Sequence, residues 1–109
     1  MTHATSTTYI GTNFSDWLAL VGRTNPVIVY TFAGDDTIIA MMNGDVFVDA
    51  GMGNDFVFGS GNQSSTVVSG DGDDTVQLTD NWQANVVDWS GDNSVYAEGN
   101  FLTSVDLGD

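Results

Sequence analysis

The chain has no cysteine, one proline and one basic residue, Arg23, among 109 residues. Without cysteine there is no disulfide framework and no thiolate metal site. With a single Arg against 15 acids, the formal charge is -14. That excludes nucleic acid and anionic membranes as partners, because both require Lys and Arg to meet phosphate. No apolar run reaches membrane-spanning length, so membrane insertion is not expected. The opening Met1-Thr2-His3-Ala4-Thr5-Ser6-Thr7-Thr8 is polar and lacks the charged-then-apolar form of a signal peptide. It reads as a lead-in, and its lone His3 as a bystander.

What the chain does have is a repeat. Phe32-Ala33-Gly34-Asp35-Asp36-Thr37-Ile38, Gly51-Met52-Gly53-Asn54-Asp55-Phe56-Val57, Gly70-Asp71-Gly72-Asp73-Asp74-Thr75-Val76 and Trp89-Ser90-Gly91-Asp92-Asn93-Ser94-Val95 align in steps of nineteen without a gap. A fixed offset of that size marks a solenoid, in which each copy is one coil stacked on the last. Two apolar columns follow the same step: Ile38, Val57, Val76 and Val95, then Val48, Val67, Val86 and Val105. Two short strands per coil, each turning a Val or Ile inward, give a flattened all-β parallel solenoid, a β-roll or β-helix with about 19 residues per coil. Small residues such as Ala40, Gly59 and Ala97 would let the two sheets approach. The pattern predicts one domain over residues 1–109. Residues 1–31 are expected to form the lead-in and an N-terminal capping coil, and 32–107 four stacked coils. Val27-Ile28-Val29-Tyr30 reads as a buried strand.

The two edges of such a roll differ. One carries Asn43, Asn62, Asn81 and Asn100 at the same offset. Asn tolerates left-handed backbone and bonds locally, and stacked amides can bond to one another, so this column reads as structural. The other edge carries the Gly-Asp turns, where glycines let main-chain carbonyls converge and each Asp adds a hard oxygen. Carboxylates and carbonyls, with no His or Cys, suit Ca²⁺, which takes 6–8 oxygen ligands in flexible geometry. Two carboxylates one coil apart repel by roughly 0.8 kcal/mol even at the dielectric of water. Asp36, Asp55 and Asp74 form such a column, and a cation between coils reverses the sign of the interaction.

Ala50-Gly51-Met52-Gly53-Asn54-Asp55-Phe56-Val57-Phe58 and Ser69-Gly70-Asp71-Gly72-Asp73-Asp74-Thr75-Val76-Gln77 resemble the nonapeptide repeat Gly-Gly-x-Gly-x-Asp-x-apolar-x of the RTX (haemolysin-type) calcium-binding family. Thr31 to Ile39 keeps the second half of that pattern, and Asp88 to Tyr96 has Asn93 where the family has Asp. Gly11-Thr12-Asn13-Phe14-Ser15-Asp16-Trp17-Leu18 looks like a divergent first repeat. The resemblance implies a parallel β-roll with calcium between successive turns of one edge. It implies one ion among Phe32, Gly34, Asp36, Ala50, Met52 and Asp55. A second would lie among Gly51, Gly53, Asp55, Ser69, Asp71 and Asp74. A third would lie among Gly70, Gly72, Asp74, Asp88, Ser90 and Asn93. Family coils have a calcium turn on both edges; here the second edge keeps only Asn43-Gly44-Asp45-Val46-Phe47 as a remnant, so a one-sided ladder of two to three ions is expected.

The function these features imply is a calcium-binding, calcium-stabilised structural module. By resemblance it belongs to a secreted or cell-surface bacterial protein exported by a type I route. Its partners would be calcium ions and other domains of a larger chain, or an extracellular surface. The alternative is a glycan- or surface-binding, adhesin-type module that uses the outward aromatics Phe58, Trp82, Tyr96 and Phe101 as a platform. Catalysis is not expected, because each Asp repeats with the turn and no unique acid pair stands out.

Overall fold

The computed structural model describes residues 7–22, 26–88 and 91–107, and every element in it is a strand. One parallel sheet takes β1 (Thr7–Ile10), β3 (Val27–Tyr30), β5 (Asp45–Asp49), β7 (Ser64–Gly70), β9 (Gln83–Asp88) and β11 (Leu102–Leu107), side by side in that order. The second takes β2 (Trp17–Val21), β4 (Thr37–Met41), β6 (Phe56–Ser60), β8 (Thr75–Thr79) and β10 (Ser94–Glu98). The chain alternates between the sheets, so each strand lies beside the one two places on. The product is a solenoid of about five turns with roughly nineteen residues per coil, as the repeat implies.

Strict alternation explains why these segments are strands with one face in. Along β6 the residues run half-buried, buried, half-buried, buried, half-buried. The Ile38–Val57–Val76 column and the Val29–Val48–Val67–Val86 column are each 2% exposed or less. Burying such side chains stabilises by about 1.5–3 kcal/mol each. Val95 and Val105 continue these columns into the last described coil, where Val95 is partly buried and Val105 is 42% exposed. Within the second sheet Gly59 makes room for its register partner: a Cβ there would lie 2.8 Å from Leu78 Cδ2, so Leu78 fills the space that glycine leaves.

The coil register begins earlier than Phe32. β1 pairs with β3 from Thr7↔Val27, and β2 with β4 from Trp17↔Thr37, both at a step of twenty. From Val27↔Val46 onward the step is nineteen. The extra residue falls between Gly22 and Val27, a stretch of which residues 23–25 lie outside the described residues. The lead-in assigned to residues 1–8 therefore includes two residues, Thr7 and Thr8, that already belong to a paired strand. The segment from Tyr9 to Val21 is a coil of the solenoid in its own right.

Candidate metal centre

The Gly-Asp edge is built by two side-chain ladders that run in opposite directions. The backbone N–H of Asp36 donates to Asp55 Oδ1 (2.9 Å), that of Asp55 to Asp74 Oδ1 (2.8 Å), and that of Asp74 to Asn93 Oδ1 (2.8 Å). Asp16 N–H joins the same series through Asp36 Oδ1, at 2.7 Å. One residue earlier in each turn the direction reverses. Asn54 N–H donates back to Asp35 Oδ1, Asp73 N–H to Asn54 Oδ1, and Asp92 N–H to Asp73 Oδ1, at 2.8, 2.9 and 2.9 Å. From the Asp35-Asp36 turn onward, each pair of neighbouring coils is thus tied from both sides. The outer ladder is exposed; Asp36, Asp55 and Asp74 are buried.

Glycine is required where the turns stack. A Cβ on Gly51 would strike the Phe32 carbonyl oxygen, and one on Gly53 would strike the Gly34 carbonyl oxygen. Both have positive φ, 77° and 111°. The carbonyls of the turn therefore point along the solenoid axis toward the next coil, which is the arrangement that oxygen ligation between coils needs.

The inner ladder leaves a deficit. Oδ2 of Asp36, Asp55 and Asp74 is buried, with no hydrogen-bond partner. Burial pushes the Asp55 carboxyl up to about 8, with the charges of Asp74, Asp36 and Asp35 adding to the rise. Burial also raises Asp74, to about 6, with Asp88 and Asp73 contributing, and it raises Asp36. In each case the backbone N–H bond pulls the other way but is outweighed. Three consecutive coils thus hold an oxygen that calls for either a proton or a cation.

The expected ligand sets fare unevenly. The Phe32 carbonyl accepts from Met52 N–H (2.7 Å), the Gly51 carbonyl from Asp71 N–H (3.2 Å) and the Asp71 carbonyl from Gly53 N–H (3.1 Å). The Ala50 carbonyl accepts from the Thr31 hydroxyl at 3.1 Å. A carbonyl oxygen has two lone pairs, so one hydrogen bond does not by itself close it to a metal. Gly34, Gly72 and Asn93 lie between strands and Gly70 at the end of β7; the three glycines have positive φ, and Asn93 Nδ2 donates to the Gly91 carbonyl at 3.2 Å. Ser90 lies outside the described residues. Among the described residues no three acidic or imidazole side chains gather closely enough to hold a metal by themselves. An ion here would have to combine carboxylates of neighbouring coils with main-chain carbonyls.

The side chains of Thr31, Ala50, Ser69 and Asp88 are an addition to this site that the repeat does not announce. Residues 50, 69 and 88 belong to the expected sets as the first position of each turn, which supplies only a carbonyl. The structure turns this column inward, with every member 3% exposed or less. Ser69 Oγ donates to Asp88 Oδ2 at 2.7 Å, and the Asp88 charge bears on Asp74. A signal for it exists: Val27, Val29 and Thr31 alternate, so Thr31 and its equivalents face in.

The Asn edge forms the ladder expected of it. Asn43 N–H donates to Asn62 Oδ1 and Asn62 N–H to Asn81 Oδ1, both at 2.9 Å. Asn43 Nδ2 donates to the Leu20 carbonyl and to Asn62 Oδ1, both at 3.0 Å. Just outside it, Trp82 and Phe101 stack with centroids 4.3 Å apart and planes 8° from parallel. Phe58 and Tyr96 stand elsewhere, on the outward side of β6 and β10. The four aromatics named as a platform are therefore split between two surfaces, because an edge position and a strand position point at right angles. The Trp82–Phe101 pair spends one face of each ring on the other.

A comparison with family models, with curated proteins and with solved structures gives no match for this chain.

Proposed function

We propose that this chain is a calcium-binding, calcium-stabilised structural module of the kind its turn sequences resemble, belonging to a secreted or cell-surface bacterial protein. The observation that carries the reading is the row of buried, unpartnered Oδ2 atoms on Asp36, Asp55 and Asp74. A buried carboxylate oxygen without a donor is expensive, and successive ones one coil apart repel. Calcium between coils would remove both penalties. Asp36 and Asp55 would share one ion with carbonyls of Phe32, Gly34, Ala50 and Met52. Asp55 and Asp74 would share a second with carbonyls of Gly51, Gly53, Ser69 and Asp71. A third, with Asn93 in place of a carboxylate, would be the weakest. Because a site requires two stacked coils, binding is coupled to folding. The acids act as ligands, not as catalysts, since each repeats with its coil. The partners are calcium ions and neighbouring domains or an extracellular surface.

The test is thermal unfolding followed by circular dichroism at increasing free calcium, with magnesium and chelator as controls. Stability should rise with calcium as mass action requires, over the 10⁻⁴–10⁻³ M range usual for extracellular modules. Magnesium should do less. A melting temperature indifferent to millimolar calcium and to chelator would refute the proposal.

A further inference from the structure

We propose that the groove beside Phe32 is a binding site for a small alkylated ammonium ion. The groove encloses about 360 Å³ at the corner where the Gly-Asp edge meets the outward face of the first sheet. Tyr30 and Phe32 supply aromatic walls, Met52 a polarisable one, and Asp49 a carboxylate. Tyr30 and Asp49 are register partners on β3 and β5, so the ring and the acid sit one strand spacing apart. Phe47 braces Tyr30 edge-on, with centroids 6.3 Å apart and planes at 63°. A second hollow of about 350 Å³ shares Asp49 and Met52 and reaches Asp71.

Two features make this more than a surface dip. The first is Phe32 itself. It occupies the turn position that Gly51 and Gly70 hold in the next two coils, and all three have positive φ: 64°, 77° and 84°. Glycine does this freely, whereas a bulky side chain is strained there. Among the described residues Phe32 is the only aromatic with positive φ. Its ring lies at the groove, 47% exposed, and not in the core. Strained residues of this kind cluster at binding sites. The second feature is charge. A groove of aromatic faces and carboxylate, on a chain of net charge -14, selects a cation whose surface is apolar. An alkylated ammonium ion meets both requirements. A metal ion does not use the rings, and a neutral apolar molecule does not use Asp49. Phe32, Gly51 and Met52 line the groove and also belong to the calcium ligand sets above, but there they lend only main-chain carbonyls; the Tyr30 and Phe32 rings and the Asp49 carboxylate are not used by that reading.

The test is an NMR titration of the whole chain in saturating calcium. The probes are tetramethylammonium, choline, phosphocholine, and the neutral choline isostere 3,3-dimethylbutan-1-ol, with sodium chloride as control. Tetramethylammonium and choline should shift the amides of residues 30–33 and 49–52 saturably, in the millimolar range. The neutral isostere should bind about tenfold more weakly, the order expected for loss of cation–π and carboxylate attraction. Phosphocholine should bind more weakly than choline, because its phosphate meets Asp49 and Asp71. That arm separates a free cation from a lipid headgroup. Phe32→Gly installs the residue of the equivalent turns, so it should melt no lower than the parent yet bind several-fold more weakly. Asp49→Asn should weaken binding similarly. Equal affinity for the neutral isostere, tighter binding of phosphocholine, shifts outside the groove, no saturable shift, or unchanged binding in both variants would each overturn the proposal.

Discussion

The two edges of the solenoid solve one problem with nearly the same atoms, and only one of them solves it completely. On both, a buried side-chain oxygen accepts a backbone N–H from the coil before it: Asn62 Oδ1 from Asn43, and Asp55 Oδ1 from Asp36. The second heavy atom decides the outcome. In Asn it is an Nδ2 that donates to a carbonyl of the coil before it, as Asn62 does to Ala40 at 3.0 Å. In Asp it is an Oδ2 with nothing to accept from. One atom therefore separates an edge that is closed by its own hydrogen bonds from an edge that awaits a proton or a cation.

The largest test transfers the deficit to the closed edge. Asn62→Asp would place a carboxylate at a site 2% exposed and remove the donor to Ala40. Leaving a buried group unsatisfied costs about 1–3 kcal/mol, and more when it is charged. Against a total of about 5–15 kcal/mol, the variant should be mostly unfolded or melt more than ~10 °C lower at neutral pH. Calcium should not rescue it, because that edge lacks the Gly-x-Gly-x-Asp turn. Rescue by calcium in a melting experiment would mean that the edges are equivalent after all.

The next effect is pH dependence. The Asp36, Asp55 and Asp74 carboxyls are raised in the folded chain, Asp55 to about 8 and Asp74 to about 6. A raised carboxyl binds its proton more tightly folded than unfolded, so it favours folding below the ordinary carboxylate range and loses that benefit as pH climbs. In chelator, stability should therefore fall between about pH 4 and pH 8. A carboxyl that titrates one pH unit higher in the folded chain than in the unfolded one contributes about 1.4 kcal/mol to this change. The melting temperature should accordingly drop by at least ~5 °C across that window. Calcium should flatten the profile and compete with protons at the acid end. A metal-free protein whose melting temperature rises from pH 4 to 8 would show that these carboxyls are not buried as described.

Asp55→Asn sharpens the comparison in the other direction. The amide keeps an oxygen for Asp36 N–H, and Asn93 shows that an amide in this column can donate to the carbonyl two residues before it. Without calcium at pH 8 the variant should be more stable than the parent, by roughly 1–2 kcal/mol, the net worth of a satisfied hydrogen bond. Its calcium affinity, measured by calorimetry, should fall by about tenfold or more, since the residue serves two of the expected sites. A variant that binds calcium like the parent would move the ions off this column.

The smallest effect belongs to Asp45→Ala. Asp45 is exposed at the start of β5 on the Asn edge. Surface changes of this kind usually stay within about 0.5 kcal/mol. Calcium affinity should be unchanged; a loss comparable to that of Asp55→Asn would put the ladder on the wrong edge.

The step of nineteen and its inward Val and Ile columns already determine the parallel solenoid, because identical coils can bury their apolar faces only by stacking in register. Val67 and Ile38 are legible in this way, and so are the Asn ladder and the position of each turn. What the residues alone leave open is direction. The string Asp35-Asp36 does not say that one carboxylate reaches forward on the surface while the other reaches back inside. That follows from the alternation of the backbone through the turn. Nor does it say that several turn carbonyls already accept hydrogen bonds from the next coil. The twenty-residue first step and the division of the aromatics between an edge and a face are likewise decided by packing. A repeat fixes which residues share a column; only the folded coil fixes which way each column points, because orientation depends on φ and ψ at the turn and on the neighbours that a side chain meets there.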